Sequence, residues 1–168
     1  MKRREVLKVA AVMPTMLSAQ MPQGKAWKPS VFTTAQDAAV VALTEIIIPA
    51  TDTPGAREAQ VNRYIDLFLH DGPASERERF LAGLRWLDEY STKKNGNPFA
   101  KLTTAEQTAI LTELDAEGSP ELEKGHQFFR MAKNLTSRIY YSTAIGFKEL
   151  NKGGRVPKKV GCEHSSHA

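Results

Sequence analysis

The 168-residue sequence has a single cysteine, Cys162. That excludes an internal disulfide, a four-thiolate iron–sulfur cluster and an all-cysteine zinc site. No Gly-x-Gly-x-x-Gly occurs, so no dinucleotide-binding fingerprint is present. Cys-x-x-Cys-His, the c-type haem attachment pattern, is missing. So is the Gly-x-Ser-x-Gly elbow of the α/β-hydrolases. No stretch of roughly 18 or more apolar residues reads as a transmembrane helix. The chain is too short for a dinucleotide domain plus a substrate domain. Its 41% hydrophobic and 25% charged residues are ordinary for one globular domain with a real core.

The net charge of +4 is unevenly spread. Lys2, Arg3, Arg4 and Lys8 against Glu5 put +3 in the first eight residues. Lys148, Lys152, Arg155, Lys158 and Lys159, against Glu149 and Glu163, put another +3 near the C-terminus. The body between them carries about −2 by subtraction, so it is not a basic surface that would track phosphates, and no nucleic-acid partner is expected.

Residues 1–26 read as an export signal and linker. The basic start is followed by a modest apolar run, Val9 to Ala19, with small residues near two tolerable cut sites, after Ala19 or Ala26. Arg3-Arg4, then Glu5, Val6, Leu7 and Lys8, resembles a twin-arginine signal, a route that carries folded cargo. On a small chain with no cofactor fingerprint, that route points to a partner carried along and to a periplasmic destination.

Residues 27–150 read as an all-α domain, an irregular bundle of about five helices. Thr33 with Gln36, and Thr103 with Glu106, have capping-box spacing, and Phe32 is placed as a staple. Val40, Val41, Leu43 and Ile46 to Ile48 cover a wide arc, which predicts a central, buried first helix ended by Pro49. Val61, Tyr64, Ile65, Phe68 and Leu69 line a second helix. Ser75 is placed to cap a third, whose apolar face is Phe80, Leu81, Leu84, Leu87 and Tyr90. Ile110, Leu111 and Leu114 line a fourth. Ser119-Pro120 opens a fifth, with Phe128, Ala132, Leu135 and Ile139 along one seam, and Ser142 restarts a short helix to Leu150. No period-2 strand is convincing. Residues 151–168 read as an extended tail.

Few residues point to chemistry. His126 and Met131, five apart, fall on different helix faces and do not make a haem pair; His126 is expected on the helix surface. Thr51-Asp52-Thr53-Pro54-Gly55-Ala56 is turn chemistry, better suited to a helix connector than to a metal, since one carboxylate among hydroxyls is a poor site. Cys162 with Glu163, His164 and His167 could hold zinc or copper, though without a supporting shell. An odd cysteine in an exported chain is either a free thiol or one half of an intermolecular disulfide.

Together, Ile47-Ile48-Pro49-Ala50-Thr51-Asp52-Thr53-Pro54-Gly55-Ala56-Arg57-Glu58-Ala59, Phe128-Phe129, Tyr140-Tyr141-Ser142-Thr143 and Gly161-Cys162-Glu163-His164 resemble subunit 3, the small subunit, of gluconate 2-dehydrogenase. The resemblance implies a non-catalytic chain with no cofactor or metal of its own. Its partner would be a large FAD-dependent subunit of the glucose–methanol–choline type that oxidises a sugar or sugar acid. A multihaem cytochrome c subunit would pass electrons onward. The small subunit would supply the twin-arginine translocase with the signal its partner lacks, leaving the complex periplasmic and peripheral to the inner membrane. Pro49, Asp52, Thr53, Pro54, Gly55, Phe128, Phe129, Tyr140 and Tyr141 become candidates for the partner interface, and Cys162 for an intersubunit disulfide. The usual Leu-Gly-Tyr-x-Gly before the tail is Leu150-Asn151-Lys152-Gly153-Gly154 here. The alternative from another class is a small periplasmic metal- or redox-binding protein built on the Cys162/His164/His167 tail; a third is a stand-alone hydrolase.

Overall fold

The computed structural model describes residues 27–116 and 119–153. Residues 1–26 and 154–168, including Arg3, Arg4, Val6, Leu7, Lys8, Cys162, His164 and His167, lie outside the described residues. Six α-helices and no strand occur among those described: α1 (Thr34–Ile47), α2 (Val61–Asp71), α3 (Ala74–Asn95), α4 (Thr104–Asp115), α5 (Glu123–Ser142) and α6 (Ala144–Leu150). Short 3-10 turns cover Phe99–Lys101, Pro120–Leu122 and Asn151–Gly153. The class is all-α, as the sequence predicts. The last of these turns takes up the first three residues assigned to the tail.

Side-chain caps form at three of the six helix starts, those of α1, α4 and α6. Both capping boxes form, with Thr33 and Thr103 accepting from the backbone N–H groups of Gln36 and Glu106, whose side chains reach back. Ser75 does not cap α3. Pro73 holds the chain in an extended conformation, and its carbonyl accepts from the amides of Glu76 and Arg77, so the helix begins at Ala74 and Ser75 lies in its first turn. Ser119 likewise makes no side-chain cap; Pro120 opens a 3-10 turn, and α5 starts at Glu123. Thr143, not Ser142, caps α6: its hydroxyl accepts from the Gly146 amide at 3.1 Å. Gly96 ends α3 at φ 80°, where a residue without Cβ is favoured.

The central element is α5 rather than α1. It packs against each of the other five α-helices. Its buried residues Gly125, Phe128, Phe129, Ala132, Leu135, Thr136 and Tyr140 spread around much of its circumference. On α1 only Ala39, Val40, Leu43 and Thr44 are fully buried, and Val41, Ile46, Ile47 and Ile48 are half-covered. Tyr64, expected on the inner face of α2, is half exposed, whereas Val61, Ile65 and Leu69 are buried. Where α3 crosses α5, a Cβ on Gly83 would lie 2.1 Å from the Phe128 ring, so only glycine permits this approach. Phe128 in turn meets Phe80 edge-on at 5.4 Å.

Candidate functional site

The loop between α1 and α2 is held from three sides. Glu45, near the end of α1, accepts the Ala50 amide at 3.1 Å and the Arg57 amide at 2.8 Å, one on each carboxylate oxygen. The Ala56 amide donates to the Ile48 carbonyl at 2.9 Å. The Tyr140 hydroxyl, 86 positions away, donates to the Pro54 carbonyl at 2.6 Å. A Cβ on Gly55 would sit 2.5 Å from the Ala50 nitrogen and 2.8 Å from the Glu45 carboxylate. Gly55 is therefore required by close approach. The loop closes into α2 through Gln60 at φ 55°, a left-handed conformation that costs a non-glycine residue about 1 kcal/mol.

Tyr140 is aimed at the loop by the corner between α5 and α6. The Thr143 hydroxyl donates to the Tyr140 carbonyl at 2.7 Å while capping α6. A Cβ on Gly146 would lie 2.0 Å from that same carbonyl, so α6 can fold back this closely only on glycine. Burial, and then the nearby Glu149 carboxylate, push the Tyr140 hydroxyl above its ordinary 10.0. It remains a proton donor to Pro54 at any ordinary pH. Glu149 pairs with Lys152, and Asp52 contributes to the field at Lys152. The two separated stretches, Pro49–Ala59 and Tyr140–Thr143, thus form one unit.

The expected interface residues divide by burial. Phe128 and Phe129 are buried at 3% and 6% exposure, and Tyr140 and Gly55 are also buried, so these four are structural and not available for contact. Thr53 and Pro54 are half-buried; Pro49, Asp52 and Tyr141 are exposed. Tyr141 packs edge-on against Tyr140 with ring centroids 5.2 Å apart. Beyond it, Tyr64, Leu67, Phe147 and Leu150 are also large, apolar and exposed; all five lie between 45% and 53%. Tyr64, Leu67 and Phe68 of α2 border a depression of about 580 Å³ whose other wall is Ile139, Thr143 and Ala144. Phe147 follows Ala144 by one helical turn. The sequence signal for Leu67 was available: it is an apolar residue outside the stripe that α2 needs for its core.

Of two polar residues that the structure turns inward, sequence reasoning missed one and misplaced the other. Asp66 is 2% exposed and accepts the amides of Ser30, Val31 and Phe32 at 2.7, 2.9 and 3.0 Å. It clamps the segment before α1 onto α2. His126 is half-buried, not on the surface as expected. Its Nδ1 lies 2.9 Å from the Leu114 carbonyl, one of the last four of α4, which have no partner within their helix. Among the described residues, no group of three or more His, Cys, Asp or Glu could hold a metal ion, and no helix is long and apolar enough to cross a membrane.

No curated protein and no solved structure matches the chain. The family described as "Gluconate 2-dehydrogenase subunit 3" matches residues 34–154. That span contains the loop, the Tyr140 corner and all six helices. The chain belongs to the gluconate 2-dehydrogenase subunit 3 family, whose members accompany a dehydrogenase catalytic subunit.

Proposed function

We propose that this chain is the non-catalytic small subunit of a periplasmic, FAD-dependent sugar or sugar-acid dehydrogenase of the glucose–methanol–choline type. It binds the catalytic subunit, stabilises it and carries it through twin-arginine export. FAD belongs to that catalytic subunit, and haem c to a cytochrome subunit that takes the electrons. The complex stays peripheral to the inner membrane.

One observation carries the reading beyond the family match. Five large apolar side chains stand half exposed on α2, the end of α5 and α6, and one of them, Tyr141, packs on the Tyr140 ring that pins the α1–α2 loop. Exposed apolar surface on a small domain marks a place where another chain packs. Backbone held in advance by hydrogen bonds costs less to order on binding. Cys162, which follows Lys158 and Lys159 by four and three positions in the sequence, pairs with a cysteine of the partner after export, since neighbouring cations favour the attacking thiolate.

The test is co-expression with a flavin dehydrogenase catalytic subunit from the same genome. The two chains should purify as one complex, and Leu67→Glu with Phe147→Glu should release the flavin subunit. A doubly substituted chain that still holds its partner at wild-type affinity would refute the assignment of this face. A flavin subunit that never co-purifies would refute the accessory role.

A further inference from the structure

A groove of about 660 Å³ runs along the seam between α3 and α5. At Gly83 the α3 backbone lies directly against the Phe128 ring, which closes the seam there and forms part of the groove's floor. Phe68, Trp86 and Met131, each half-buried, and the buried Phe128 form its apolar floor. Arg79 on α3 and Lys124, Arg130 and Arg138 on α5 stand exposed along its rim. Among the described residues none of these four is paired with a carboxylate. Arg138 instead lies over the Phe68 ring, 5.7 Å from its centre. Glu76 is the one carboxylate among the residues that line the groove, which leaves it a net +3. This sits in a body whose overall charge is slightly negative, so the cations are gathered rather than evenly spread.

We propose that this groove receives an acidic amphipathic helix of the dehydrogenase catalytic subunit. The proposal rests on the accessory-subunit reading and names the element of the partner that docks. Lys124 to Arg138 spans about 21 Å at 1.5 Å per residue, so the rim would run along about 14 residues of a partner helix. An apolar floor takes the apolar stripe of such a helix, and the rim takes its flanking Asp and Glu. Charge also rules against the chain's own ends. Residues 1–8 carry +3, and Arg155, Lys158 and Lys159 outweigh Glu163, so neither end complements a cationic rim. A second copy would bring the same four cations to face themselves. At its Phe68 end the groove meets the depression beside Tyr64 and Leu67, so one partner could cover both.

The test uses the co-expressed complex. A zero-length carbodiimide, which joins amines to carboxylates in contact, should link Lys124 to an Asp or Glu of the catalytic subunit within a helical stretch. The double variant Arg130→Glu, Arg138→Glu should weaken the complex at least about tenfold and reduce the salt dependence of what remains, while its thermal midpoint alone stays near wild type. Should the variant lose its fold, Arg130→Gln with Arg138→Gln gives the same reading with a smaller change. Affinity within twofold of wild type in both variants overturns the proposal. So does a Lys124 cross-link to another copy, or to Glu5 or Glu163 of the same chain. Variant-sensitive binding to phosphatidylglycerol vesicles without loss of partner affinity would assign the groove to the membrane and overturn it too. Failure of the two chains to associate at all removes the accessory reading, and the proposal with it. Failure of the charge variants alone leaves that reading intact.

Discussion

At the scale of single residues, the chain uses the buried Asp66, the half-buried Glu45 and the buried phenol of Tyr140 to fix backbone that no helix would hold. Asp66 does this with three amides, and no apolar periodicity would reveal it, since an Asp on a helix reads as solvated. Asp66→Ala should cost about 3 kcal/mol, because charge-assisted bonds are lost and the Phe32 amide is left buried without a partner. Urea unfolding checks this; a loss under about 1 kcal/mol would mean water replaces the carboxylate. Tyr140→Phe removes one hydrogen bond and no packing, so about 1 kcal/mol is expected. The same variant should speed hydrogen exchange at the Ala56 amide, which belongs to the loop that Tyr140 pins. Gly55 was legible as a turn residue, but its reason was not. A turn glycine suggests conformational freedom, whereas here the Ala50 backbone and Glu45 leave no room for a Cβ.

Between elements, α3 and α4 are tied by Tyr90, Lys94 and Glu113. Both the Tyr90 hydroxyl and Lys94 donate to the same Glu113 oxygen. The bond from Lys94 holds the Glu113 carboxyl below its ordinary 4.5. A carboxyl depressed on folding adds stability above its unfolded value and loses it as pH falls through the folded one. The same bond raises Lys94 above its ordinary 10.5, so its contribution is complete at neutral pH and fades only as pH rises through the raised value. Asp88 works the other way. Burial raises it above 3.8 against the pull of the Phe99 amide, so its ionisation costs stability as pH rises from there. Because Lys94 and Glu113 are each more than a third exposed, solvent screens the pair. Glu113→Gln should cost roughly 0.5 kcal/mol at pH 7. The gap between variant and wild type should close as pH falls well below 4.5. Denaturation curves from pH 3 to 7 decide this, and a gap constant with pH would show that the side chain acts through packing alone.

For the whole molecule, the expected outcomes concern the complex. Replacing Arg3 and Arg4 by Lys should leave both the chain and its dehydrogenase partner in the cytoplasm, read by activity in periplasmic fractions. Normal periplasmic activity would show that export uses another address. Exposed Tyr64, Leu67, Tyr141, Phe147 and Leu150 should make the free chain less stable than the bound one, since a partner that binds only the folded state raises the unfolding midpoint. Equal midpoints with and without the catalytic subunit would count against it.

The sequence by itself determined the helical class, the two capping boxes, the break at Pro49 and the family motifs, because each depends on residues close together in the chain. Periodicity also found the buried faces of α3 and α4. It misjudged Tyr64 and the rank of α1, since an apolar residue shows a preference for burial and not whether a neighbour is there to provide it. The tertiary structure alone decided that α5 is the hub and that Phe129 joins Phe128 in the core. It alone joined Pro54 to Tyr140 and gathered Arg79 and Arg138 from two helices around one groove. Those pairings cross 86 and 59 positions of chain, and net charge or spacing along a sequence carries no record of which distant residues a packed bundle brings face to face.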